Sequence, residues 1–182
     1  MAQPRHFSII YANGYGVPGD PHDQNYGRYL TRILRASLSP GFKTIFILAG
    51  GATNPGRPDM SEARYMLDRL TADHGPIIDR FTFRLLEDGR DVETNLCGLR
   101  RICKEFEFPV VTLYCEWARQ DYFRFLAHQL IPNALVEPVI FDRGFDPRWD
   151  VRLKMLFFLP LRMLTWYWRN RLSAAHPVPA RS

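Results

Sequence analysis

The sequence predicts an α/β fold with a mostly parallel sheet of about five strands. Short apolar runs alternate with helical patterns through residues 7–141, and such alternation is typical of parallel sheets covered by helices. The runs are rich in Ile, Val, Phe and Thr and are mostly apolar at both odd and even positions, as expected for strands buried on both faces. A length of 182 residues suits one domain with an appendage. Together these observations predict a three-layer α/β sandwich followed by a C-terminal helical segment.

Predicted strands and helices alternate along the chain. The five strands are expected at residues 7–11, 43–49, 81–86, 110–115 and 135–141. Apolar side chains recur at helical spacing in the four segments between them, at residues 26–37, 61–70, 91–106 and 119–130. A strand, a helix and the next strand form a right-handed crossover, which makes the strands parallel.

The candidate ligand-binding residues directly follow these strands or begin the next helix. Ligands of such sheets bind beyond the carboxyl ends of the strands, where glycines allow close approach and helix N-termini suit an anion. Neither a dinucleotide-binding Gly-x-Gly-x-x-Gly motif nor a phosphate-binding loop is present. The predicted ligand-binding set is Asn13, Gly14, Gly50, Gly51, Ser61, Glu62, Glu87, Asn95, Glu116 and Arg119.

Several of these residues also have a purely structural interpretation. Ser61 and Glu62 suit a helix start, because serine is a favoured N-cap and an early glutamate complements the helix dipole. Glu87 and Glu116 could be solvated loop acids, and Arg119 could be a surface charge. No catalytic residue is identified; Glu62 and Glu87 are the candidate acid–base pair, with Arg119 as the anion contact.

Metal and disulfide chemistry are not expected. The five histidines have no metal-ligand spacing. Three cysteines, at 97, 103 and 115, are an odd number without a framework pattern, which indicates a reducing compartment. The N-terminus has no apolar stretch typical of a secretory signal. The expected location is therefore cytoplasmic.

Several motifs, in order, resemble the YdcF/SanA/ElyC-like family, known as domain of unknown function 218. Residues 47–51 (Ile-Leu-Ala-Gly-Gly) and 61–66 (Ser-Glu-Ala-Arg-Tyr-Met) are similar to the family's strand ending in Gly-Gly and its Ser-Glu-Ala helix start. Glu87 after the third strand and Asn95 in the next helix match its third unit in outline. Arg119 lies at the family's arginine spacing. The resemblance covers about residues 7–141.

The resemblance implies a Rossmann-like fold with a polar pocket for a nucleotide-like ligand, such as S-adenosylmethionine, or for an envelope precursor. It implies no established reaction. Val92 and Thr94 stand where the family usually has Thr and Glu, and Glu116 stands where it usually has His. The role of that histidine is therefore not carried over to this chain.

The basic charge of the chain is concentrated at its C-terminal end. Residues 148–182 contain seven Lys or Arg and one Asp, so they carry a net charge of +6, whereas residues 1–147 carry −1. A nearly neutral domain does not indicate nucleic-acid binding. We therefore divide the chain into a domain, 1–147, and a basic, aromatic tail, 148–182.

The tail has three alternative interpretations. Residues 149–168 include three of the four tryptophans. They could form a helix packed on the domain, or an interfacial helix or oligomer contact, with arginines meeting an anionic membrane surface or the tail mediating self-association. The third alternative, a membrane span, is disfavoured because the unbroken apolar run 155–161 is far shorter than the roughly 20 residues required. The second alternative makes the protein a binding or scaffold module on the inner membrane face, with a degenerate pocket.

Overall fold

The structure is a computed structural model that describes residues 7–18, 24–38, 43–106, 109–140 and 149–175. The strands are β1 (Phe7–Asn13), β2 (Lys43–Ala49), β3 (Thr82–Leu86), β4 (Val110–Glu116) and β5 (Leu135–Val139). All five are parallel and form one sheet in the order β3-β2-β1-β4-β5. The predicted Rossmann-like α/β fold is confirmed.

The helices connect these strands in the expected alternation. The α-helices are α1 (Gln24–Ala36), α2 (Glu62–His74), α3 (Val92–Cys103), α4 (Gln120–Leu130) and α5 (Trp149–Ala175). One short 3-10 helix, Gly75–Arg80, follows α2, and another, Trp117–Arg119, precedes α4.

Only β2 keeps both predicted ends; most of the other elements begin or end one to four residues away from the prediction, and two of these differences have a clear local cause. β1 continues to Asn13, because Ala12 and Asn13 pair with Leu48 and Ala49 of β2. α3 begins at Val92, because the Asp91 side chain accepts a hydrogen bond from the Thr94 N–H at 2.8 Å and forms a capping box.

The strands bury both faces, which explains their unbroken apolar sequences. On one face, Ile10, Phe46 and Leu48 pack with apolar residues of α1 and α2. On the other face, Tyr11 and Ile47 pack with apolar residues of α3 and α4. Because successive strand side chains point to opposite faces, each strand supplies both cores.

The strand order creates a switch point next to β1. The chain proceeds from β1 outward to β2 and β3, then returns to place β4 on the other side of β1. Loops after β1 and β4 therefore diverge to opposite faces, which leaves a crevice at the carboxyl edge of the sheet.

α5 packs on the domain through one side. The Arg152 guanidinium lies 3.2 Å from Asp121 and 4.1 Å from the Trp117 ring, and the Trp166 ring packs edge-on against Phe125. The helix continues through Pro160. Within the described parts of the chain, no helix has both the length and the apolar composition needed to cross a membrane.

We expect Phe46→Ala to lower the free energy of unfolding by about 3–5 kcal/mol, because it removes a fully buried ring from the core on the α1 and α2 face. Leu38→Ala, at a residue 44% exposed, should change it by less than about 0.5 kcal/mol. Urea unfolding of both variants measures the difference. Equal destabilisation by the two substitutions would contradict this description of the core.

Candidate functional site

A cavity of about 170 Å³ lies at the carboxyl edge of the sheet, at the switch point. The ends of β1 and β2 and the starts of α2 and α3 contribute to it, as does the segment before α4. Its walls are formed by Asn13, Gly14, Tyr15, Gly16, Gly50, Thr53, Glu62, Gly89, Arg90, Asp91, Val92, Asn95 and Arg119.

Glu62 is the buried acid of this cavity. It is the first residue of α2, after the N-cap Ser61, and is 6% exposed. Its carboxylate accepts hydrogen bonds from the Thr53 hydroxyl and from the Gly16 N–H. Burial raises the pKa of this carboxyl above its ordinary value of 4.5, while the two hydrogen bonds and the positive charge of Arg119 act in the opposite direction.

Two glycines make room for the Glu62 side chain. A Cβ on Gly14 would overlap the Glu62 carboxylate, and a Cβ on Gly50 would lie 2.7 Å from the Glu62 Cβ. Gly50 also has a φ of +149°, which side chains disfavour. The backbones after β1 and β2 therefore approach the carboxylate more closely than any larger residue would allow.

Arg119 supplies a cation to the same cavity. Its Nε lies 3.5 Å from an oxygen of Glu116, the last residue of β4, whose side chain is 2% exposed. One third of the Arg119 side chain remains exposed. The buried Glu116 carboxylate thus holds the guanidinium at the cavity wall and leaves part of it accessible.

Asn95 contributes an amide whose hydrogen bonding is incomplete. It is the fourth residue of α3 and is 5% exposed. Its Oδ1 is buried and has no hydrogen-bond partner among the described residues. Such a buried polar atom costs about 1–3 kcal/mol unless it gains a partner.

Asn13 is engaged within the protein. Its Oδ1 accepts a hydrogen bond from the Tyr11 hydroxyl at 2.8 Å, and its Nδ2 donates to the Gly14 carbonyl at 2.6 Å. The Tyr29 hydroxyl donates to the Asn13 carbonyl at 2.8 Å. These bonds fix the loop after β1, so Asn13 shapes the cavity as well as lining it.

The structure brings six of the ten predicted binding residues to the cavity wall. The other four, Gly51, Ser61, Glu87 and Glu116, lie outside its lining. Ser61 donates to Glu87 at 2.6 Å and accepts from the Arg64 N–H, so this pair braces the start of α2. The Gly51 N–H donates to the Gly89 carbonyl and supports a wall loop. Ligand contact by the predicted set stays a prediction.

Glu62 and Glu87 therefore do not form the anticipated acid–base pair in this cavity. The Glu87 carboxylate bonds to Ser61 and lies 3.9 Å from Arg64 on the outside of the α2 start. Only Glu62 of the two candidates lines the cavity.

Seven wall residues were not among the predicted set. They are Tyr15, Gly16, Thr53, Gly89, Arg90, Asp91 and Val92. The pattern Asp-x-x-Thr at 91–94 marks a helix start and could have indicated the α3 residues. Nothing local indicates Thr53, because its contact with Glu62 depends on how the β2–α2 loop folds back.

We expect Glu62→Gln to become more stable relative to the wild type as the pH rises from below 4.5 through the raised pKa of Glu62. Between these two values the folded chain binds more protons than the unfolded chain, so the free energy of unfolding of the wild type falls as the pH rises. Glutamine does not ionise and removes this dependence. Urea unfolding across the pH range measures it; Glu137→Gln removes the same charge at an exposed position. A difference that shrinks with pH would contradict the burial of this carboxylate.

We expect Gly14→Ala to lower the free energy of unfolding by about 1–3 kcal/mol, because the added methyl group overlaps Glu62. Gly56→Ala is the matched control, since its Cβ would meet only the Asn54 side chain, at 3.3 Å. Thermal unfolding compares the two. Equal stability of both variants would show that the Glu62 side chain is not seated as described.

Comparison of the chain with protein-family models, with curated proteins and with solved structures finds no match. The motif resemblance to the YdcF/SanA/ElyC-like family therefore stays a prediction. Function is inferred from the geometry of the cavity.

Proposed function

We propose that this chain is a divergent YdcF/SanA/ElyC-like protein that binds a small polar molecule carrying an anionic group. The observation that carries the proposal is the convergence of Glu62 and Arg119 on one cavity at the switch point of the sheet. These residues belong to different strand–helix units and would lie apart if each were only a surface or capping residue. A nucleotide-like or envelope-precursor-like molecule has the required chemistry.

The anionic group of the ligand is expected near Arg119. Arg90 is a second cavity-lining cation, and Asp91 and Val92 place the start of α3 in the same wall. A helix N-terminus favours negative charge, and guanidinium groups bind carboxylates and phosphates through two hydrogen bonds. These features favour an anion on this side of the cavity.

The remaining walls favour hydrogen-bond donors on the ligand. The Glu62 carboxylate accepts hydrogen bonds, and the Asn95 amide has an oxygen with unused capacity. A hydroxyl or amine group of the ligand would complement them. The ligand therefore carries both an anionic group and a donor group.

The size of the cavity limits what it encloses. At about 30 Å³ per water molecule, 170 Å³ holds about six waters, which is below the roughly 300–1,000 Å³ of drug-sized ligand sites. A second cavity of about 330 Å³ shares Asp91 and Val92 with it and reaches α5. A nucleotide-sized ligand would place its anionic end in the first cavity and extend toward the second.

Glu62 is the residue we propose to exchange a proton with the ligand. Its raised pKa keeps a larger fraction of it protonated near neutral pH than an ordinary glutamate, and it lies in the cavity.

The proposed location is cytoplasmic. Cys97, Cys103 and Cys115 are free thiols, which is consistent with a reducing compartment.

Mass spectrometry of the natively purified chain tests the proposal. We expect a small anionic molecule to copurify with the wild type and to be reduced at least about tenfold in Arg119→Gln, because a hydrogen bond to a charged group contributes about 1.5–3 kcal/mol. Arg90→Gln, at an exposed residue, tests the same anion contact with little risk to folding. Arg100→Gln removes the same charge on the exposed side of α3 and is the matched control.

The outcomes separate binding from folding. Thermal unfolding of each variant shows whether Arg119→Gln remains folded after Glu116 loses its partner. A copurifying molecule retained equally by Arg119→Gln, Arg90→Gln and the control would contradict the assignment of the anion to this cavity. The same identified molecule then serves as the probe for Glu62→Gln, which should bind it and lose any turnover.

A further inference from the structure

The outer side of α5 carries a stripe of large, exposed apolar side chains, one of which, Leu161, also borders the cavity between α5 and the domain. Its members recur at helical spacing along the side opposite the packed face, and each is 55–80% exposed. The outer stripe consists of Leu153, Phe157, Leu161, Leu164 and Trp168. Phe158 and Tyr167 extend it at 48% and 58% exposure.

This stripe is additional to the residues that hold α5 on the domain. Arg152, Arg162 and Trp166 lie on the inner side, where they contact Asp121, the Tyr122 ring and Phe125. The domain therefore covers the inner side of α5 and leaves the apolar outer stripe exposed. Extended apolar faces of this kind mark interaction sites.

The charge of α5 identifies the kind of surface that fits. Residues 152–171 contain five Lys or Arg and no Asp or Glu. Lys154 and Arg171 are exposed along the same helix as the outer stripe. Cations beside exposed Trp, Phe and Leu are the composition of helices that lie in the interface of anionic membranes.

A second copy of the chain fits this surface less well. Two α5 helices packed through their outer stripes would bring together two sets of cations, with no acidic residue in 152–171 to compensate them. Phospholipid headgroups supply the missing negative charge, and acyl chains cover the apolar side chains.

We propose that the outer stripe of α5 docks the protein on an anionic lipid surface, with the helix lying in the plane of the interface. Leu153, Phe157, Leu161, Leu164 and Trp168 enter the boundary between headgroups and acyl chains. The exposed cations of α5 contact lipid phosphates, while the inner side keeps the α/β domain attached. This inference is independent of the proposed ligand.

Vesicle binding of the full chain tests the proposal. Vesicles of equal parts phosphatidylglycerol and phosphatidylcholine are compared with vesicles of phosphatidylcholine alone by sedimentation. We expect strong binding to the anionic vesicles and at least about tenfold weaker binding to the phosphatidylcholine vesicles. Each cation near an anionic surface adds a favourable contribution to the free energy of binding. Added sodium chloride should weaken the binding to anionic vesicles.

Substitutions on the outer stripe separate apolar docking from simple charge attraction. Phe157→Glu and Trp168→Glu should each reduce the partition coefficient at least about tenfold, since each removes a large apolar side chain from the lipid contact. Leu38→Glu is the matched control: it makes the same change of charge at an exposed leucine after α1 and should change binding less than about threefold. Circular dichroism tests whether each variant is folded. We expect all three to be folded, because the three positions are exposed.

Three results would overturn the proposal. One is no binding to anionic vesicles, and another is equal binding by Phe157→Glu, Trp168→Glu and Leu38→Glu. The third is a dimer of the wild type in sedimentation velocity that Phe157→Glu dissociates, without vesicle binding. That result would assign the outer stripe to a second copy of the chain.

Discussion

The carboxylate of Glu62 is the point on which the arrangement of the carboxyl edge depends. It lies against the glycine backbones that follow β1 and β2, and it accepts hydrogen bonds from two different loops. The backbone of the same region is cross-tied, since the Gly14 N–H donates to Ala49 at 2.7 Å and the Ala63 N–H donates to Gly50 at 3.0 Å. A single buried acid thus fixes the relative positions of β1, β2 and the start of α2.

This constraint also explains the mixed charge of the cavity. Burial of a carboxylate is costly, and the cost is reduced by hydrogen bonds and by a cation nearby. Arg119 provides that cation, and the more deeply buried Glu116 holds it in place. The result is a small polar space with an acid on one side and a guanidinium on the other, which suits a ligand that carries both a donor and an anion.

α5 is covered by the domain on one side only. A helix with apolar residues all round is stable only where both sides are covered. The domain covers the inner side through α4 and the Trp117–Arg119 segment, with Arg152 and Trp166 as contacts. The uncovered side, with its exposed apolar stripe and the nearby Lys154 and Arg171, is therefore the feature of this chain that most needs an external surface.

The pattern of apolar and polar residues along the chain is sufficient to predict the class of fold and the neighbourhood of the site. Short apolar runs without alternation are typical of strands buried on both faces, and the helical patterns between them favour parallel pairing. The carboxyl ends of the strands then indicated Asn13, Gly50, Glu62, Asn95 and Arg119. The boundaries of β2 could be read directly from its composition.

Which polar residues share the cavity depends on contacts between elements that are distant in the sequence. Glu87 follows a strand as Asn13 does, yet it is absent from the cavity wall, and its carboxylate contacts Ser61 and Arg64. Glu116 ends β4 and contacts Arg119, but its buried side chain does not line the cavity. Thr53 reaches Glu62 through a loop without any local signal. Local patterns specify each strand and helix, whereas the convergence of their ends depends on strand order and loop packing, which are set by contacts between distant parts of the chain.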